Sequence, residues 1–172
     1  MSASSSKERI MREEDFIVSK TDVKGRISYA NEIFIEFSEF KENELIGKPH
    51  NIIRHPDMPR SVFRFMWQTL QKGEEFSGYV KNLSKHGNFY WVFANVTPSY
   101  GPGNQLLGYF SVRRKPSRDA VTLYEKIYRE MVEEENKHSS ANKAMDASLA
   151  ILNDYVEQSG LTYNELVIAN EM

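Results

Sequence analysis

Residues 75–114 read EFSGYVKNLSKHGNFYWVFANVTPSYGPGNQLLGYFSVRR, and the fold follows from how this stretch divides. Three β-rich runs, Glu75–Leu83, Phe89–Ser99 and Leu106–Arg114, are separated by His86-Gly87-Asn88 and by Gly101-Pro102-Gly103-Asn104. Glycine, proline and asparagine at those two places are turn residues, so the runs predict consecutive antiparallel strands. Upstream, Val62, Phe63, Met66, Trp67 and Leu70 recur at helical spacing over Arg60–Gln71, and Gly73 ends that helix. Before it lies an irregular polar segment, Pro49–Pro59, and before that a short helix, Glu42–Ile46, closed by Gly47 and Pro49. Asn31 is an N-cap candidate for a helix carrying Ile33, Phe34 and Phe37. Phe16–Val18 and Arg26–Tyr29 flank the Lys24-Gly25 turn as a hairpin. Two strands, short helices, one longer helix and three strands predict an α+β unit, a five-stranded antiparallel sheet with its helices on one face.

Beyond Lys115–Ser117 the character changes. Residues 1–115 carry 17 Lys/Arg against 13 Asp/Glu, whereas residues 116–172 carry 5 against 11. The second part has two helical apolar stripes, Val121, Tyr124, Tyr128, Met131 and Met145, Leu149, Leu152, Val156. Thr162-Tyr163-Asn164-Glu165 has capping-box spacing for a short last helix. We therefore divide the chain into a cap segment (1–14), a central unit (15–116) and a C-terminal helical tail (117–172). The stripes are too narrow for a free-standing bundle, so the tail is expected to associate with a partner or with a second copy.

The 172 residues include no cysteine, which excludes disulfides, thiolate metal sites and cysteine nucleophiles. No apolar run approaches the roughly 20 residues that span a bilayer, and no secretory leader opens the chain, so a cytoplasmic protein is expected. A net charge of −2 argues against nonspecific nucleic-acid binding. Two histidines, His50 and His55, without a carboxylate cluster make a poor metal pattern. No nucleophile elbow or phosphate-cradling glycine loop is present, so an enzyme is not expected.

Tyr29-Ala30-Asn31, Gly47-Lys48-Pro49-His50-Asn51, Arg54-His55-Pro56-Asp57-Met58-Pro59, Val80-Lys81-Asn82 and Tyr90-Trp91 together resemble the PAS sensor of aerotaxis and energy-taxis receptors, the Aer type. The resemblance covers about residues 15–115, and Arg-His-Pro-Asp-Met-Pro is its specific signature. It implies a PAS fold, noncovalent FAD, and a redox report to the chemotaxis machinery. Family receptors usually continue into a membrane anchor and a signalling coiled coil. This chain reads instead as the stand-alone PAS half of a split receptor, its output carried by a chemotaxis receptor or signalling partner. PAS domains also often dimerise, so a homodimer is a further expectation.

The resemblance names seven candidate cofactor-binding residues. Asn82 shares a strand face with Val80 and Gly78, and its amide can both donate to and accept from a flavin's uracil-like edge; a turn-capping role is the alternative. Arg113 occupies the last-strand position where light-sensing flavin domains place a glutamine, and otherwise belongs to the basic Arg113-Arg114-Lys115 strand end. Arg54, His55 and Asp57 match the signature. Arginine suits phosphate and histidine can donate to phosphate or ribose, while Asp57 is expected to orient Arg54 or His55, or to cap the following helix. Trp67 is placed in the cavity wall and Asn31 joins the set through its motif. Trp91 has the opposite parity to Val92 and is expected on the outer sheet face, covered by the N-terminal segment or a partner. A haem-binding gas sensor and a cofactor-free interaction module of the same fold are the alternatives. The helix 60–71 lacks the histidine that many haem PAS domains carry.

Overall fold

The hydrophobic alternation of the strands closes, in a computed structural model describing residues 6–172, into one antiparallel sheet. Its strands are β1 (Ile17–Thr21), β2 (Ile27–Ala30), β3 (Phe76–Leu83), β4 (Phe89–Tyr100) and β5 (Leu106–Arg114), in the order β2-β1-β5-β4-β3. The sheet is completed by a long-range pairing: β1 lies against β5 with Ile17 opposite Arg113 and Thr21 opposite Tyr109. At that junction Gly108 has φ 156°, and a Cβ there would collide with the Thr21 carbonyl. Only glycine permits so close a crossing.

Strand alternation gives the sheet two different faces. Val80, Asn82, Val92, Ala94, Ser111 and Arg113 lie on the inner one. It is covered by α1 (Glu32–Ser38), α2 (Glu42–Leu45), a 3-10 turn (His50–Ile53) and α3 (Arg60–Gln71). Phe34, Phe37, Leu45 and Ile53 pack there with Ile17, Ile27 and Val92. Asn31 caps α1 by accepting the Phe34 N–H at 3.0 Å.

The outer face carries Tyr79, Trp91 and Phe93, and the tail covers it. Its helices are α4 (Arg118–Glu135), α5 (Ala141–Ser159) and α6 (Tyr163–Ala169). Tyr124 lies 4.4 Å from the Tyr79 ring, Tyr128 stacks on Trp91 at 6.1 Å, and the Tyr128 O–H donates to the Tyr79 carbonyl. From α6, the Val167 carbonyl accepts the Tyr79 O–H at 2.9 Å. The apolar stripe of α4 thus closes on this chain's own sheet, while Leu149 and Leu152 of the second stripe join the same core from α5. Trp91 is on the outer face as its parity requires, and α4 rather than the N-terminal segment covers it.

The cap segment is described from residue 6; its first five residues lie outside the described residues. Glu8 bridges to Phe89, Met11 is buried against the inner core, and the Arg9 guanidinium donates to the Glu36 carbonyl at the end of α1. Among the described residues, no helix is long and apolar enough to cross a membrane.

Candidate ligand cavity between sheet and helix α3

A cavity of about 420 Å³ separates the inner sheet face from α3. The α3 side is apolar because the helix turns Phe63, Met66, Trp67 and Leu70 toward the sheet, as their spacing dictates. Trp67 meets Tyr109 of β5 edge to face at 5.1 Å. Opposite stand Val80, Ala94 and Val96, with Ser19 and Thr21 from β1 and Ser111 from β5. The volume falls in the range typical of small-molecule sites.

Three side chains in this wall have buried polar atoms without partners: Thr21 through its hydroxyl, Asn82 and Arg113. Asn82 is 3 % exposed and its Nδ2 has no hydrogen-bond partner. Arg113 is likewise 3 % exposed; Nη2 donates to Ser19 Oγ at 2.5 Å, while Nε and Nη1 are unpartnered. Leaving such donors unsatisfied costs on the order of 1–3 kcal/mol each, and more for a charged group, so the wall offers hydrogen-bond donors to whatever acceptor fills the cavity, water included. Burial pushes Arg113 down to about 10, which leaves it a cation at neutral pH. The Phe34 ring lies beneath its guanidinium at 4.6 Å.

His50 joins this group. Its Nε2 lies 3.0 Å from Ser19 Oγ and its ring stacks on Phe34. Burial, then the nearby Arg113 charge, holds its pKa down to about 3, so the ring is neutral. Sequence reading weighed His50 only as a metal ligand. Its place depends on a long-range contact, the bridge of Pro49 to Arg26 of the hairpin, which no pattern within the sequence displays.

The signature Arg54–Pro59 forms a clasp on β3. Arg54 pairs through its backbone with Asn82, the Lys81 N–H donates to Met58 Sδ, and Asp57 Oδ2 lies 2.6 Å from Lys81 Nζ. The pKa of Asp57 is lowered: partial desolvation of this exposed carboxyl acts to raise it, but the hydrogen bond and charge of Lys81 prevail. Of the two expected partners of Asp57, Arg54 is replaced by Lys81, whereas His55 is its neighbour, with Nδ1 at 3.6 Å from the carboxylate. Nor does Asp57 cap α3, whose N-cap residue is Pro59. His55 accepts the Asp57 N–H and packs edge to face on Phe89; burial and then Lys81 lower its pKa against the pull of Asp57.

Asn82, Arg113, Trp67 and Arg54 thus come together at one cavity, Arg54 with its guanidinium over Phe63. His55 and Asp57 support the loop that carries Arg54 and do not line the cavity. Asn31 stands apart. Its side chain accepts from Val18 and Phe34 N–H groups and donates once to the Phe16 carbonyl, which holds it at the start of α1 and away from the cavity.

The family described as the PAS fold matches residues 6–115. Over 113 residues the chain is 42 % identical to the aerotaxis receptor of Escherichia coli K12, covering 66 % of this chain and 22 % of that one. It is 26 % identical over 149 residues to the biofilm dispersion protein BdlA of Pseudomonas aeruginosa, covering 86 % of this chain and 33 % of BdlA. The chain thus spans about a fifth to a third of the length of these curated relatives. A light-oxygen-voltage domain studied with a flavin analogue superimposes with a TM-score of 0.56 at 20 % identity, over 72 % of this chain and 87 % of that one, a likeness of fold.

Proposed function

The chain belongs to the PAS family, and from that premise we propose that it is an FAD-binding redox sensor reporting to the chemotaxis machinery through a partner receptor. The observation that carries this reading is the pair of buried, incompletely partnered donors, Asn82 and Arg113, facing a cavity otherwise walled by apolar side chains. A flavin ring fits that chemistry, because it combines a flat apolar surface with nitrogen and oxygen acceptors along one edge.

Bound flavin would supply reversible uptake of electrons at its ring. This chain's residues then have separable tasks. Asn82 offers its free N–H to an acceptor on the ring edge. Arg113 holds a fixed cation in a desolvated wall, where added negative charge is felt strongly. Trp67 and its neighbours on α3 exclude water from one side. Arg54 is suited to phosphate, being a guanidinium at a cavity edge with no carboxylate bonded to it. Burial keeps His50 neutral, so it adds no charge beside Arg113 as pH varies through the physiological range.

A bound flavin that changed charge would act on the desolvated Arg113 and Asn82 and so would bias how the sheet packs against its covering segments, a population shift. The aerotaxis receptor of Escherichia coli supports chemotaxis as the destination. The purified protein's absorption spectrum tests the cofactor, followed by separation of the released compound. A flavin band near ~450 nm and release of FAD are expected. A Soret band near ~410 nm, or a colourless protein that takes up no FAD on reconstitution, would overturn the reading.

A further inference from the structure

Helix α3 has no side-chain cap within its own segment: Pro59 is its N-cap residue and contributes no side-chain hydrogen bond. The N–H groups of Arg60 and Ser61 are instead satisfied by a carboxylate 75 and 74 residues away in sequence, Glu135, each at 3.1 Å. Glu135 is 4 % exposed and also accepts from the Ser148 O–H of α5 at 2.8 Å. Ser148 Oγ in turn lies 2.5 Å from Ser61 Oγ, and Arg60 Nε is 3.6 Å from the carboxylate. One buried side chain therefore joins α3, α4 and α5.

The position is unfavourable for α4 itself. Glu135 is that helix's last residue, where the helix dipole repels an anion, and no basic residue occupies the last turn. Burying a carboxylate is also costly. Both costs are offset at the N-terminus of α3, where the dipole and two N–H groups favour an anion, together with the Ser148 O–H and the Arg60 guanidinium. This N-terminus follows the Arg54–Pro59 clasp directly, and the same helix supplies Phe63, Met66, Trp67 and Leu70 to the cavity wall.

We propose that Glu135 is a positioning residue that couples the C-terminal tail to the cavity: by capping α3 from outside its own segment, it sets how that wall of the cavity sits, and the cavity's occupant in turn biases tail docking. Such coupling is reciprocal by thermodynamic necessity. Its ligand half rests on the flavin reading above, and its ligand-free half does not.

The chain's two tryptophans suit the test, since Trp67 lines the cavity and Trp91 stacks on Tyr128 of the tail. Full-length protein labelled with 5-fluorotryptophan gives one fluorine resonance from each, assigned with Trp67→Phe. Glu135→Gln keeps the shape but presents an oxygen to only one of the two N–H groups. It should displace both resonances in ligand-free protein and weaken FAD binding several-fold. Ser148→Ala, which removes one donor, should move both resonances partway in the same direction, and it decides the matter if Glu135→Gln fails to fold. Adding FAD to the wild type should shift the Trp91 resonance, and that response should shrink in Glu135→Gln.

A Trp67 resonance unmoved in a folded Glu135→Gln, with the change confined to Trp91, would overturn the coupling and leave Glu135 a tail anchor. So would an unmoved Trp67 in Ser148→Ala where Glu135→Gln does not fold. If the wild type takes no FAD, the flavin reading fails, while the ligand-free comparison still decides the role of Glu135.

Discussion

Replacing Asn82 by Ala removes a buried amide whose donor has no partner in the protein, so ligand-free stability should change little while FAD affinity falls. A hydrogen bond of about 1 kcal/mol corresponds to roughly fivefold in the dissociation constant, with more if the ring acceptor stays buried. Titration of apoprotein with FAD, with circular dichroism to verify folding, reads this directly; unchanged affinity removes Asn82 from the site. Arg113→Gln tests a different property. Withdrawing a desolvated cation disfavours negative charge nearby, so the flavin midpoint potential should fall, as measured by equilibration with a reference dye. An unaltered potential would separate the guanidinium from the ring. His50 yields a pH prediction. Its ordinary value is 6.5 and its folded value about 3, so between these limits the unfolded chain binds more protons and stability decreases as pH falls. Urea unfolding of ligand-free protein should show a loss approaching about 1.4 kcal/mol per pH unit below 6.5 from this residue, and His50→Gln should flatten the slope between pH 6.5 and 5. The lowered His55 contributes in the same direction and leaves a residual slope.

Among the elements, β5 and its junction with β1 bear the closest steric tolerance. Gly108→Ala places a methyl against the Thr21 carbonyl in a backbone conformation that L residues rarely adopt. Strain of this kind belongs to the severe end of point mutations, so a loss of about 2–4 kcal/mol in chemical denaturation is expected. A loss below about 0.5 kcal/mol would mean that β1 can move off β5 freely. The helices and strands themselves were legible from periodicity and turn residues: Arg60–Gln71 and Leu106–Arg114 have the boundaries that their patterns predict, and Thr162–Glu165 forms the capping box its spacing implies. Asn31 shows why a motif does not by itself assign a ligand. Cap geometry and the bonds to Phe16 and Val18 engage both lone pairs of the amide oxygen and one of its two N–H groups, and spacing in sequence cannot display that competition.

For the whole molecule, the tail is the decisive assembly. Removing residues 118–172 strips the cover from Tyr79, Trp91 and Phe93 and also withdraws the Glu135 cap from α3. The truncated protein should unfold at lower temperature and bind a hydrophobic dye such as ANS that the full chain does not bind, because a contiguous aromatic face becomes exposed. A truncated form with wild-type melting temperature and no dye binding would show that the tail is dispensable to the fold. A partner receptor that engages the tail would then have to use its exposed face, whose acidic residues include Asp154 and Glu157, or compete with the sheet for the apolar one.

Alternation along β3–β5 and the helical spacing of α3 determined, from sequence alone, that Asn82 and Val80 share a face and that Trp67 points with the apolar stripe. Those are local periodicities, set by backbone geometry and independent of what lies across the gap. Arg113 needed more, since alternation defines two faces without saying which is interior; pairing of β1 with β5 and the packing of Phe34 turned it inward. The partner of Asp57, the role of His50 and the cover over Trp91 were likewise decided only by the tertiary structure. Each depends on contacts between segments far apart in the chain, Lys81 with Asp57, Ser19 with His50 and Tyr128 with Trp91, where charge and shape select the partner after the sheet has formed.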